Sequence, residues 1–292
     1  MPMSDRKPWQ SKTLWSKLRT QTDHGLATGA LAPIDTDYEI VKDGNIDFIV
    51  RILTNLNRKA QARKVQTKEK TNPFLPYDAN LYVTDVSETH VCLLNKFNVV
   101  DHHFLIVTRA FESQLTWLTL ADFIALHRSL AEVPGLFFYN GGPQAGASQP
   151  HKHLQVVPQQ SMALPVETAV QATTFINGIG QSPLLPYGHG IAQVSLDDDP
   201  QQWLTTYRQL LTSLAIGEPT GTWQGEQQQA YNFLGTKNWM MIVPRHQDDH
   251  LGISVNSLGF AGSLLVKNQE QMDRLKQLGP MTLLQRVGTT KT

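Results

Sequence analysis

Gly146-Ala147-Ser148-Gln149-Pro150-His151-Lys152-His153-Leu154-Gln155 joins a loop of small residues to a segment in which polar side chains recur at every second position. On a strand the side chains alternate with period two, so His151, His153 and Gln155 share one face, whereas on a helix residues two apart diverge. Strand geometry is therefore the one that gathers two imidazoles and an amide. Val156 and Val157 extend the β-prone run and Pro158 closes it. Upstream, the loop from Asn140 through Gly141, Gly142 and Gly146 to Pro150 offers backbone N–H groups to an anion, as phosphate-cradling loops do.

Three readings of the histidine pair compete. A His-x-His strand can hold a metal, but zinc takes three or four His, Cys or carboxylate ligands, and glutamine is an uncommon one. An ordinary structural pair is the plainest alternative. A nucleophilic histidine accounts for more of the segment. Imidazole titrates near neutrality, and one ring nitrogen can attack while a hydrogen bond at the other fixes the tautomer.

The run Gly146–Gln155 resembles the active-site segment of the histidine-triad superfamily, in the transferase branch where glutamine stands in place of the third histidine. The likeness extends along the chain through Leu94-Asn95-Lys96-Phe97, the run from His103 to Arg109, Tyr139-Asn140, the run from Tyr231 to Thr236, and Val243-Pro244-Arg245. As a set these resemble the diadenosine tetraphosphate phosphorylases, also called ATP adenylyltransferases. The resemblance implies an α+β fold: a histidine-triad-like antiparallel sheet flanked by helices, with an intimately packed C-terminal half. Residues 1–178 would form the N-terminal half with the active-site strand, and residues 179–292 the half that completes the nucleotide site.

Composition sets the boundary conditions. A chain of 292 residues can bury a large core, as one domain or two packed halves. With 25 basic and 25 acidic residues the formal net charge is zero, so no global field favours nucleic acid and a polyphosphate must be held by local cations. Cys92 is the one cysteine; it cannot form an internal disulfide, and its apolar surroundings predict a buried thiol. The N-terminus carries no run of signal-peptide length, and nothing approaches a membrane span. A soluble, cytoplasmic protein is expected.

Local patterns predict the elements. Trp9, Leu14, Trp15 and Leu18 suggest a helix over residues 9–20. Residues 38–41 and 46–53 read as strands joined at Asp43-Gly44-Asn45, a hairpin signal. The basic run 57–70 reads as a mobile loop. Strands follow at 81–85, 90–95 and 102–108, then a helix opened by Thr119 and Asp122 as a capping-box variant, then a strand at 136–139. Gly and Pro punctuation from about residue 161 suggests a linker. Asp197-Asp198-Asp199-Pro200 opens a helix, 217–229 is a loop, Gly235-Thr236-Lys237 turns a hairpin, and Asn268 caps a final helix that stops at Gly279-Pro280.

By resemblance, His153 attacks the α-phosphorus of an adenylyl group and carries it as a phosphoramidate, while His151 orients the site. Gln155 discriminates among chemistries: an amide donates to a phosphoryl oxygen but is no general acid at neutral pH, so the leaving group must depart unprotonated. A polyphosphate can, because the second pKa of a phosphate monoester is about 6. Backbone groups of Gly146, Ala147, Ser148 and Gln149 are expected at the α-phosphate, with Lys59, Lys96 and Arg245 along the polyphosphate. Asn95, Asn140, Leu234, Gly235, Thr236 and Met241 match family positions lining the nucleotide, with packing or turn duty as the alternative for each.

The implied substrates are diadenosine tetraphosphate, ATP, ADP and phosphate, with neither nucleic acid nor membrane as partner. A divalent cation, magnesium by preference, is expected to arrive on the substrate phosphates, because the chain shows no carboxylate cage of its own. Two other reactions share the chemistry: phosphorolysis of adenosine phosphosulfate, and nucleotidyl transfer of the hexose-1-phosphate uridylyltransferase kind. The latter enzymes often carry a cysteine-containing metal site that one cysteine cannot furnish. A nucleotide-binding module without turnover is the remaining alternative.

Overall fold

The strand-forming runs are built from residues that alternate between two cores. In the computed structural model, which describes residues 9–54, 72–217 and 222–291, a ten-stranded sheet is the centre of the molecule. Its first half comprises β3 (Tyr82–Asp85), β4 (His90–Leu94), β5 (Phe104–Thr108), β6 (Gly135–Gly141) and β7 (His153–Pro158), ordered β3-β4-β5-β7-β6. The order continues through β11 (Tyr231–Gly235), β12 (Trp239–Pro244), β10 (Gly190–Gln193), β9 (Ile179–Gln181) and β8 (Thr174–Ile176). Every neighbouring pair in it is antiparallel. This is the expected α+β architecture.

Two seams join the halves of the chain. In the large sheet, β6 pairs with β11 from Tyr231↔Gly141 to Gly235↔Phe137. In a second sheet the N-terminal hairpin of β1 (Thr36–Asp43) and β2 (Ile46–Leu53) accepts the late strand β13 (Ser263–Val266), parallel to β2. The boundary expected at 178/179 falls at the tight turn between β8 and β9, where Asn177 and Gly178 both have positive φ. Such a turn matches the right-handed twist of its strands, which favours Asn-Gly.

The two faces of the large sheet bury different layers. Phe104, Ile106, Phe137, Tyr139, Leu154 and Val156 pack toward the helices Leu14–Thr28, Leu120–Glu132 and Pro200–Ser213. On the other face, Phe138, Val157, Leu234 and Met241 meet Phe48, Val50, Leu264 and the helices Gln269–Leu278 and Pro280–Val287. Near the β3–β4 edge that second face carries a separate small cluster, Phe74, Val91, Leu93, Leu105 and Val107. The gap between the two apolar clusters is polar, and it holds the site.

Several local expectations shift. The first helix spans Leu14–Thr28, because Glu132 Oε2 accepts from the N–H groups of Thr13 and Leu14 and so fixes its start. The capping box at Thr119 and Asp122 forms as expected, with 2.7 Å between Thr119 N and Asp122 Oδ2. Asp199 and Gln202 make a second box at the helix Pro200–Ser213. The region read as linker holds β8, β9 and the short helix Glu167–Gln171, too brief for periodicity to reveal. Beyond Gly279 a further helix starts at Pro280, where proline suits the first turn. Among the described residues no helix is long and apolar enough to cross a membrane. Cys92 is buried, and burial pushes its thiol far above the usual range.

Candidate active site

Three imidazoles lie along the polar gap, and their partners fix each tautomer. His153 opens β7, with its Nδ1 2.8 Å from the carbonyl oxygen of His151. A carbonyl only accepts, so Nδ1 carries the proton and the Nε2 lone pair is free. His151 precedes the strand in an isolated bridge to Ser113. Its Nε2 donates to the Thr108 carbonyl at 2.8 Å, and its Nδ1 accepts from Asn72 Nδ2 at 2.9 Å. Asn72 is itself oriented, since its Oδ1 takes the N–H of Phe74 at 2.9 Å. The Phe74 ring packs against both His151 and His153, which confirms that the two share a face.

The third imidazole is His103, on the same face and absent from the expected catalytic set. Its Nδ1 accepts from Asn95 Nδ2 at 3.2 Å, which leaves the proton on Nε2. That N–H has no well-formed partner among the described residues, although the Gln155 carboxamide lies beside it and opposes the fall in its pKa. The signal was present in sequence, in the alternation of His103, Leu105 and Val107 across from Gln155 and His153. The cross-strand pairs are Leu105↔Gln155 and Val107↔His153.

Burial keeps these rings neutral. It pulls His153 down to about 4 and His103 to about 4, and it lowers His151 as well. A neutral His153 with its proton held on Nδ1 is a nucleophile throughout the neutral range.

The loop Gly142–Gln149 is held by a chain of amides that crosses both halves of the molecule. Asn140 Oδ1 accepts from Asn232 Nδ2 at 2.8 Å, from Ser257 Oγ at 2.7 Å and from Ser257 N at 3.1 Å. Asn232 Nδ2 also donates to the Ala145 carbonyl at 2.8 Å, and Asn232 Oδ1 accepts from Arg245 Nη1 at 2.5 Å. Gly146 needs both its left-handed φ of 85° and its missing side chain, since a Cβ there would lie 2.9 Å from Asn256 Cβ.

The structure redistributes the expected phosphate ligands. Of the four loop N–H groups, that of Gly146 donates to Pro143 O at 2.8 Å and that of Ala147 to Gly142 O at 3.2 Å, so both are engaged within the loop. Those of Ser148 and Gln149 have no partner among the described residues, and Ser148 is exposed. Lys96 is also exposed, its ammonium over the Phe97 ring. Lys59 lies outside the described residues.

Arg245 is the clearest departure. It is 1% exposed, and its guanidinium donates to Val287 O, Asn232 Oδ1, Gln247 O and Val255 O. Its planar fork serves four internal acceptors, which leaves it supporting the amide chain rather than lying along a polyphosphate. Leu234 and Met241 are wholly buried in the apolar floor beyond Phe138, while Gly235 and Thr236 close the β11–β12 hairpin. All four occupy packing or turn positions of the sheet. Periodicity alone does not distinguish a floor residue from a ligand contact.

Lys152, between the two histidines, points the other way. It is buried among Glu112 Oε2 at 2.8 Å, the Trp117 carbonyl at 3.1 Å and Asp122 Oδ2 at 3.4 Å. Asp122 also meets His90 Nε2 at 3.0 Å. These partners hold its carboxyl below the usual range against the opposing effect of burial.

The chain is similar to known proteins along most of its length. Residues 4–172 match the family described as the Ap4A phosphorylase N-terminal domain, and residues 183–290 match the ATP adenylyltransferase C-terminal domain. Diadenosine 5',5'''-P1,P4-tetraphosphate phosphorylase 2 of Saccharomyces cerevisiae is 29% identical over 263 residues, 79% of each chain. Protein APA1 of the same yeast is 25% identical over 281 residues, 85% of each. The crystal structure of yeast Ap4A phosphorylase Apa2 in complex with Ap4A superposes with a TM-score of 0.80 at 25% identity, covering 97% of this chain and 99% of that one. The same yeast protein in complex with AMP superposes with a TM-score of 0.77 at 26% identity, covering 96% and 98%.

Proposed function

The chain belongs to the Ap4A phosphorylase and ATP adenylyltransferase family, and from that premise we propose that it splits diadenosine tetraphosphate with phosphate into ADP and ATP, reversibly, through an adenylyl group carried on His153. The observation that carries the reading is the bond from His153 Nδ1 to the His151 carbonyl, which turns a neutral Nε2 lone pair into the attacking group. In the first step Nε2 bonds to the α-phosphorus, the bond from that phosphorus to the bridging oxygen breaks, and ATP leaves. In the second a phosphate oxygen attacks the same phosphorus, the P–N bond breaks, and ADP leaves.

Neither step uses a protein acid. Gln155 donates an N–H to a phosphoryl oxygen, and the neutral His103 Nε2–H is a second donor beside it. Ser148, the N–H groups of Ser148 and Gln149, Asn140, Lys96 and Lys59 supply the rest of the charge-stabilising set. A magnesium ion is accommodated on the substrate phosphates, because the donors around His153 are imidazoles, amides and hydroxyls rather than carboxylates. Nucleotides and phosphate are the partners, and a reducing cytoplasm suits the buried free thiol of Cys92.

Incubating the protein with diadenosine tetraphosphate, magnesium and phosphate should yield ADP and ATP in equal amounts. Without phosphate, AMP should be released slowly or not at all. Sustained release of AMP and ATP in phosphate-free buffer would identify a hydrolase and reject this reading.

A further inference from the structure

The β6–β7 ladder stops short of the nucleophile. It runs from Gly135↔Pro158 to Phe138↔Gln155, and the same register extended would set Asn140 opposite His153. A side chain fills that place instead. Gln114 Oε1 accepts from His153 N at 2.9 Å, while Gln114 Nε2 donates to Asn140 O at 3.0 Å and to His153 O at 3.3 Å.

The carboxamide thus replaces one rung of the sheet with a spacer, and the two strands part beside the nucleophile. Gln114 is 2% exposed and fixed at its own backbone, where its N–H donates to Pro150 O at 2.8 Å and its carbonyl accepts from the Tyr139 hydroxyl at 2.5 Å. One residue therefore touches the end of the phosphate-binding loop, the backbone of the nucleophile, and Asn140 at the loop's entrance.

Resting on the adenylyl-transfer reading above, we propose that Gln114 is a positioning residue whose carboxamide sets the distance between His153 and the phosphate-binding loop. Only a neutral group with an acceptor on one arm and a donor on the other satisfies both strands. A methionine fills the volume with neither. A carboxylate keeps the acceptor but turns two lone pairs toward the carbonyls of Asn140 and His153; a protonated carboxyl restores one donor.

The experiment is single-turnover adenylylation of His153 by diadenosine tetraphosphate, with KM and thermal midpoint measured alongside, for Gln114→Met and Gln114→Glu. The titratable groups around position 114 are His151, His153, Tyr139, Glu226, and Lys152 with Glu112. With His153 at about 4, the unmodified enzyme should be nearly flat from pH 8 to 5.5. Gln114→Met should adenylylate about 10 to 100-fold more slowly at nearly unchanged KM, as expected for a displacement on the order of 1 Å at the reacting centre. Gln114→Glu should be as slow at pH 8 and recover toward pH 5.5 as the buried carboxyl takes up a proton.

A Gln114→Met rate equal to that of the unmodified enzyme, or a Gln114→Glu profile parallel to it, overturns the proposal. If Gln114→Met does not fold, the pH recovery of Gln114→Glu decides alone. Failure of the unmodified protein to form ADP and ATP counts against adenylyl transfer, a result distinct from either.

Discussion

His153 Nδ1 lies 2.8 Å from the carbonyl oxygen of His151, so one histidine orients the other through its backbone while its ring is held elsewhere, at Thr108 and Asn72. The division of labour predicts unequal losses. His153→Ala should reduce phosphorolysis by several orders of magnitude, on the scale seen when a nucleophile is removed, with nucleotide still bound. His151→Ala keeps the backbone carbonyl and should cost less. Mass analysis of enzyme quenched in denaturant at alkaline pH, where the P–N bond survives, should place the adenylyl adduct on His153; an adduct on His151 would reverse the assignment.

Acid stability follows from the same burial. His103, His153 and His189 are each held to about 4, chiefly by desolvation, against an unfolded value near 6.5. Their folded pKa values are depressed, so from about pH 6.5 down to 4 the unfolded chain binds more protons than the native one. Stability is therefore full above pH 6.5 and is lost as pH falls through that window, at up to about 1.4 kcal/mol per pH unit for each proton. Urea midpoints at pH 7.5 and pH 5 should differ clearly; equal midpoints would show that the three rings titrate normally.

On the opposite face, Lys152 and Asp122 fix the strand from behind. Asp122→Ala leaves a buried ammonium with only the half-exposed Glu112 carboxylate and one carbonyl, and removes the partner of His90. The expected loss is about 3–5 kcal/mol, as for a buried pair broken on one side. Denaturant unfolding reads it directly. A loss within experimental error would mean that Lys152 finds another partner.

Local chemistry makes much of this legible in the sequence. The Thr119 and Asp199 caps, the hairpin at Gly44 and the strand at His153 each rest on neighbours a few residues apart. What the sequence does not reveal depends on distant pairing. β13 is four residues long and exists as a strand because β2 offers an edge, and Gln114 gains its place only when β6 and β7 part. Arg245 shows the same limit. Its position in the family pattern marked it as important, but whether its donors face a ligand or Val287, Gln247 and Val255 is a property of the packed chain.

That last distinction separates Arg245 from Lys96 experimentally. Arg245→Lys should destabilise the fold, because one ammonium cannot span acceptors served by a planar fork and buried carbonyls are left unpaired, at about 1–3 kcal/mol each. Activity and thermal midpoint should fall together. Lys96 is exposed and makes no ion pair among the described residues, so Lys96→Ala should leave the midpoint unchanged. Its effect should appear in catalysis, as a loss of roughly 10 to 1000-fold in kcat/KM, or about 1.4 to 4 kcal/mol, from one lost charge-assisted contact to a phosphate. Steady-state kinetics and melting curves on both variants decide it: if Arg245→Lys melts like the unmodified protein yet loses kcat/KM as Lys96→Ala does, the guanidinium reaches the polyphosphate after all and the amide chain stands without it.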